Sequence, residues 1–199
     1  MNPTHSNKVS TLNSSEYKSG KITIITGPMY SGKSTTLLRY IDRSISIGQQ
    51  TVILSPLIDT RSDCELVCHS GQRRGVVKLK TLMSFFSDPT VGEYDIIGID
   101  EAQFFDACDL YDFASKVADV LHKTIIVSGL DTNFKREEFG GVIRTIAIAD
   151  EVVKLTALCC VCRNGMPAIF TKRIYSTSSD ILVGGKEAYQ SVCRHHYHI

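Results

Sequence analysis

Gly27-Pro28-Met29-Tyr30-Ser31-Gly32-Lys33-Ser34 lies between an apolar, β-branched run, KITIIT at 21–26, and a segment of helical periodicity. It satisfies G-x-x-x-x-G-K-[ST], a pattern that carries a mechanism when a strand precedes it and a helix follows. The glycines let the backbone curl until successive N–H groups face one point at the helix N-terminus, where the partial positive charge favours an anion. In such a loop Lys33 reaches the β- and γ-phosphates of a nucleotide and the Ser34 hydroxyl ligates Mg²⁺. The bland alternative, a glycine turn without nucleotide, is disfavoured by the strand-loop-helix setting.

Outward from this loop the rhythm repeats. Leu37, Leu38, Ile41 and Ile45 recur at roughly helical spacing over 34–48, and Gly48 suits a C-cap. TVILS (51–55), VVKLK (76–80), YDIIGID (94–100) and KTIIVSGL (123–130) are short β-branched runs separated by helical-length segments, with a second helix over 110–121. This predicts an α/β fold: a parallel sheet of the P-loop NTPase kind, flanked by helices. The polar, glycine-punctuated stretch 58–75 reads as a lid over the phosphates. After about residue 155 the pattern changes to cysteines, AIFTKRIY, a Ser/Thr-rich turn, DILVGG and a Cys/His-rich end. The expected organisation is a disordered tail (1–20), a nucleotide-binding α/β domain (21–155) and a small zinc-binding lobe (156–199) that also carries a substrate-closing loop.

A second site signal ends the run Ile96-Ile97-Gly98-Ile99-Asp100-Glu101. Two carboxylates at the end of a buried strand form a Walker B arrangement, in which Asp100 holds the metal and Glu101 is free to act as general base. Alternating side-chain direction at the strand end is expected to send the two acids different ways. The alternative is acids that merely cap the next helix.

Of the seven cysteines, Cys159-x-x-Cys162 and Cys193-x-x-His196 each have the gap that presents two ligands to one tetrahedral ion. Three cysteines and a histidine make a closed, structural zinc site, with Cys160 a bystander and His195 and His198 nearby alternatives to His196. Cys64, Cys68 and His69 are too few for a second cluster, and Cys108 is expected to be a buried thiol.

Bulk properties narrow the class. Lys and Arg total 22 against 21 Asp and Glu, a net charge of +1, so no broad basic face recruits nucleic acid or an anionic membrane. No apolar run approaches the ~20 residues needed to cross a bilayer, and the polar start lacks a signal-peptide core, so the expected location is the cytoplasm.

Taken together, GPMYSGKST, the DTR of Asp59 to Arg61, DEAQFF from Asp100, GLDTNF from Gly129 with Phe139-Gly140, and the terminal GGKEAY and VCRHHY resemble the zinc-bearing thymidine kinase family over about 21–197. The resemblance implies transfer of the γ-phosphate of ATP, as Mg-ATP, to the 5′-hydroxyl of thymidine, and of deoxyuridine, as in nucleotide salvage for DNA synthesis. It implies that Glu101 deprotonates that hydroxyl. ATP contacts would come from Gly27 to Ser34, Thr35, Asp59, Arg61, Asp100, Glu101, Ala102 and Gln103. The base would lie among Met29, Phe104, Leu130, Phe134 and Phe139, closed over by a loop carrying Thr171, Val183, Gly184, Gly185 and Tyr189. For each aromatic, plain core packing is the alternative. The segment 163–167 is longer than in some relatives. The resemblance further implies a homotetramer and feedback inhibition by thymidine triphosphate. Rival classes are another P-loop nucleotide hydrolase or switch, and a zinc-ribbon nucleic-acid-binding module. Against them stand the absence of a guanine-reading [NT]-K-x-D and the near-neutral charge.

Overall fold

The computed structural model describes residues 19–59, 65–67, 73–174, 185 and 187–199. The expected tail lies outside them apart from Ser19 and Gly20, as do Arg61, Cys64, Cys68, His69, Val183 and Gly184. The chain runs β1 (Lys21–Thr26), α1 (Lys33–Ile45), β2 (Thr51–Pro56), β3 (Glu65–Val67), β4 (Arg73–Gly75), β5 (Val77–Leu79), α2 (Leu82–Phe86), β6 (Ile96–Ile99) and α3 (Ala107–Ser115). It continues through β7 (Thr124–Gly129), α4 (Gly140–Ile146), β8 (Glu151–Lys154), β9 (Ala157–Leu158), β10 (Pro167–Ala168), β11 (Phe170–Arg173), β12 (Tyr189–Val192) and α5 (Arg194–Tyr197).

Six strands make one sheet in the order β5-β2-β6-β7-β1-β8, every neighbouring pair parallel. The two-residue strand period sorts its side chains to opposite faces. Ile24 of β1, Ile97 and Ile99 of β6, and Ile125 and Val127 of β7 join Leu82, Phe85, Leu110, Phe113 and Val142 on the face covered by α2, α3 and α4. Ile25, Ile53, Ile96 and Ile126 point the other way, onto Leu37, Leu38 and Ile41 of α1. Burial of a large side chain such as Phe113, fully enclosed, contributes about 1.5–3 kcal/mol. Gly98 sits on the α1 face, where an added Cβ would lie 3.2 Å from Leu37 and 3.4 Å from Ile41. The helix reaches the sheet there because nothing stands in its way.

Several boundaries differ from the sequence reading. The first helix starts one residue early and ends at Ile45, with Gly48 in the left-handed conformation expected of it. The second begins at Ala107 because the Asp106 carboxylate caps it, accepting from the N–H groups of Cys108 (2.9 Å) and Asp109 (3.2 Å), and it continues past Ser115 as a π-helical turn. Asp109 in turn accepts from the Leu82 and Met83 amides, so α3 caps α2 from the side. The described part of 58–75 is not all loop. β3 and β4 pair antiparallel, Leu66 is buried in the α1-side core, and Arg74 pairs with Asp42 of α1 at 2.7 Å. Cys108 is exposed rather than buried. The inward stripe of α3 is Leu110, Phe113 and Ala114, which leaves residue 108 facing solvent beside Arg144, whose Nη1 lies 3.4 Å from its sulfur.

Candidate active site and metal centre

In the sheet β1 and β2 are consecutive in the chain yet separated by β6 and β7, so the connection through α1 must cross two strands. Where the winding direction changes, the carboxyl ends of the strands open into a crevice. Gly27 leaves β1 there, Asp100 leaves β6, and Leu130 leaves β7. The glycine loop bends sharply. Gly27 has φ +142° with its Cα pressed against the Leu155 carbonyl, where a Cβ would come within 2.4 Å, and Gly32 has φ +85° at the start of α1. No side chain caps that helix. Lys33 Nζ folds back to the Pro28 carbonyl (2.9 Å), and Ser31 Oγ is buried without a hydrogen-bond partner inside the loop, which marks an interior built to receive a polar group.

Ser34, at the first turn of α1, donates its hydroxyl to both carboxylate oxygens of Asp100, at 3.0 and 3.2 Å. Ser128 of β7 donates to Oδ1 from the other side at 2.7 Å. Asp100 is only 3% exposed. Burial, and then the neighbouring Glu101 charge, push its carboxyl up to about 6 against the pull of the two hydroxyls. A buried carboxylate and a hydroxyl converging on one point are an all-oxygen donor set, the kind Mg²⁺ prefers, so these residues fit that ion.

Glu101 does not take its direction from strand alternation as expected. The strand stops at Ile99, and Glu101 adopts a left-handed φ of +52° before a 3₁₀ turn over Ala102–Phe104. A residue with a Cβ is held so only under constraint, commonly at functional positions. It makes no side-chain cap to that turn, which disposes of the capping alternative. Gln103 supplies the constraint, donating Nε2 to Glu101 Oε2 while its Oε1 accepts from the Leu130 amide at 3.0 Å. The carboxylate of the β6 end is thereby tied to the β7 end. Ala102, wholly buried, anchors the turn, and Thr35 lies half-buried in the first turn of α1.

Met29, Phe104, Leu130, Phe134 and Phe139 are all half-buried and all lie on segments that follow the carboxyl ends of β1, β6 and β7. The Phe134 ring lies under the Arg173 guanidinium, 3.9 Å from its carbon, and its carbonyl accepts from Tyr197. Phe139 precedes α4, a helix the sequence reading missed, and its amide donates to Asp131 O at 2.9 Å. Thr171 is buried, its hydroxyl oxygen accepting from the Met29 amide at 3.0 Å. Tyr189, also buried, receives a hydrogen bond from Arg173. Gly185 accepts from the amides of Ala188 and Tyr189, forming a tight turn into β12.

Asp59 is buried at the end of the turn after β2. Lys78 of β5, which sequence reading passed over, donates to its carbonyl (2.7 Å) and to Ser55 Oγ (3.2 Å), with the Asp59 carboxylate 3.8 Å away. The available signal was a cation inside an otherwise apolar strand. For Ser128 it was a hydroxyl near the end of one.

Cys159, Cys162, Cys193 and His196 present their ligand atoms within 4.8 Å of one another. Cys162 and Cys193 sulfurs are 3.8 Å apart, and His196 Nδ1 lies 3.7, 3.3 and 3.4 Å from the sulfurs of Cys159, Cys162 and Cys193. Sulfurs around a tetrahedral zinc at ~2.3 Å stand ~3.8 Å apart, so the residues fit that ion. Burial raises the Cys159 thiol, but the amides of Cys162, Cys193 and Val161 turned toward its sulfur outweigh it and draw it down to about 6. Burial and the adjoining sulfurs push Cys162 up to about 12, since thiolates share so small a volume only around a cation. Cys160 is exposed and turned to Gln190, outside the cluster, as are the exposed His195 and His198.

A family model described as "Thymidine kinase" matches residues 20–197. The chain is similar to "Thymidine kinase a" of Arabidopsis thaliana, 46% identical over 183 residues that cover 90% of this chain and 75% of that protein. "Thymidine kinase" of Oryza sativa subsp. japonica is 41% identical over 183 residues, covering 89% and 66%. "Thymidine kinase" of Sheeppox virus (strain KS-1) is 36% identical over 178 residues, covering 89% and 97%.

Proposed function

The chain belongs to the thymidine kinase family, and from that premise we propose that it transfers the γ-phosphate of ATP to the 5′-hydroxyl of thymidine, giving thymidine monophosphate and ADP. The observation that carries the reading in the fold is the convergence of the glycine loop, the Ser34–Asp100 pair and Glu101 at one end of the sheet.

In this reading the loop amides and the N-terminus of α1 cradle the phosphates, and Lys33 turns from the Pro28 carbonyl to the β- and γ-oxygens. Ser34 and Asp100 would hold Mg²⁺, which when bound with ATP supplies neutralising charge at those oxygens. Ser128 orients Asp100 from the far side. Glu101, fixed by Gln103, accepts the proton of the 5′-hydroxyl as the γ-phosphorus is attacked and the bond to the ADP oxygen breaks. The half-buried Met29, Phe104, Leu130, Phe134 and Phe139 offer faces and edges for a flat pyrimidine, thymidine or deoxyuridine alike. Lys78 steadies Asp59 beside the phosphates, and the resemblance adds Arg61 to the ATP contacts and Val183, Gly184 and Gly185 to the base contacts.

The same reading divides the chain into a nucleotide-binding body, 21–155, and a zinc-bearing lobe, 156–199, a division supported by the break between the six-stranded sheet and the small sheets after β8. It includes a cytoplasmic location, a homotetramer and inhibition by thymidine triphosphate. Among the described residues no helix is long and apolar enough to cross a membrane.

The test is purified protein with Mg-ATP and, in parallel, thymidine, deoxycytidine, deoxyguanosine and deoxyadenosine, following monophosphate and ADP separately. Thymidine monophosphate should match ADP one to one, and Glu101→Gln should lower kcat by about 10²–10⁴-fold, far more than it changes ATP affinity. ADP without monophosphate would make the chain a hydrolase, and product from another nucleoside alone would move the base specificity.

A further inference from the structure

Tyr30 stands in the middle of the glycine loop with φ +64°. Glycine adopts that conformation freely, whereas a tyrosine adopts it under constraint from its surroundings. The constraint comes from the metal lobe. The Tyr30 ring packs against the cluster formed by Ala157, Cys159, Ala168, Val192 and Cys193. Its hydroxyl donates to the Tyr189 carbonyl of β12 at 3.3 Å, while the adjacent Met29 amide donates to Thr171 Oγ1 of β11 at 3.0 Å. β11 and β12 pair with each other, and β12 leads directly into Cys193. The ring whose backbone shapes the phosphate loop therefore packs on the same small core to which the metal-site residues Cys159 and Cys193 belong.

We propose that Tyr30 is a positioning residue that couples the Cys/His metal site to the phosphate loop. The metal, by ordering the lobe, keeps the Tyr30 ring seated and the loop in its left-handed bend. Nucleotide in the loop, by fixing the same bend from the other side, tightens the lobe around its metal. Coupling between two sites is reciprocal by thermodynamic necessity, so each ligand must strengthen the other by the same factor. The proposal rests on the nucleotide-binding reading of the loop, and the ring contact is separate from the phosphate contacts that reading uses.

The experiment loads the full chain with zinc and follows chelator-driven zinc release with a colorimetric indicator, with and without saturating Mg-ADP, for wild type, Tyr30→Phe, Tyr30→Leu and Tyr30→Ala. Calorimetry gives ADP affinity for the zinc-loaded and zinc-stripped forms. Coupling predicts that ADP slows zinc release about 5-fold or more in wild type, and that stripping zinc weakens ADP binding. Tyr30→Phe, which keeps the ring, should retain most of the protection. Tyr30→Leu and Tyr30→Ala should reduce it to less than about twofold and raise KM for ATP more than they lower kcat. A merely structural role would speed zinc release equally with and without ADP. Release in wild type that ignores saturating ADP overturns the coupling while leaving the kinase reading intact, as does undiminished protection in Tyr30→Leu. A wild-type chain that binds no Mg-ADP overturns both.

Discussion

Asp100 carries an energetic conflict. Packed at 3% exposure between β6, α1 and β7, its carboxyl is raised to about 6, chiefly by burial and then by Glu101. The native state therefore holds a proton that the unfolded chain, with an ordinary aspartate near 3.8, gives up between those values. The folded form gains stability as pH falls through about 6 and loses it as pH rises. In buffer free of metal and nucleotide, Asp100→Asn should raise the melting temperature at pH 7.5 by a few degrees, an effect on the order of 1–2 kcal/mol, and flatten its slope between about pH 4 and 6. An unchanged slope would mean that Asp100 is not the group responsible. The identity of this residue was legible in the run IIGIDE, but its protonation was not, because Ser34 and Ser128, which face it, lie 66 and 28 positions away.

At the scale of the element, two glycines in neighbouring strands do different work. Gly98 faces α1, and a methyl there meets only the flexible ends of Leu37, Ile41 and Ile53. Gly129 faces the active end, where a methyl would lie 3.1 Å from Gln103 Oε1, 3.2 Å from Ala102 Cβ and 3.2 Å from Val142 Cγ2. Both substitutions to alanine should cost about 1–3 kcal/mol by overpacking, measured by denaturant unfolding. Only Gly129→Ala should also lower kcat, since it displaces the amide that holds Glu101 and anchors Leu130. Equal kcat in the two variants would separate Gln103 from catalysis. The strands themselves were readable as β-branched runs. The short helix α4 was not, because its seven residues, Gly140–Ile146, open with two glycines and offer too few turns for an amphipathic period.

For the whole molecule the question is what keeps the region after β8 folded. Its sheets are two-stranded pairs, β9 with β10 and β11 with β12, which in isolation are marginal in water. The small core of Ala157, Cys159, Ala168, Val192 and Cys193 is largely made of the ligand residues and their neighbours. A metal closing the four-ligand site supplies what this core lacks. The protein should carry one zinc per chain by elemental analysis, and a strong chelator or Cys162→Ser should lower its melting temperature by several degrees. A melting curve indifferent to chelator would show that the lobe stands on packing alone.

The sequence by itself determined the glycine loop between strand and helix, the acids ending β6, the two ligand pairs, and the parallel sheet implied by alternating strands and helices. These rest on local chemistry and periodicity, which need no partner. What only the tertiary structure decided was every relation between segments far apart in the chain. The left-handed turn that aims Glu101, the Gln103 bridge to Leu130, the Lys78 support of Asp59, the exposure of Cys108 and the seating of Tyr30 in the metal lobe all depend on which strands become neighbours. Strand order is set by the burial of whole faces against helices, a sum over the entire chain to which no short stretch holds the answer.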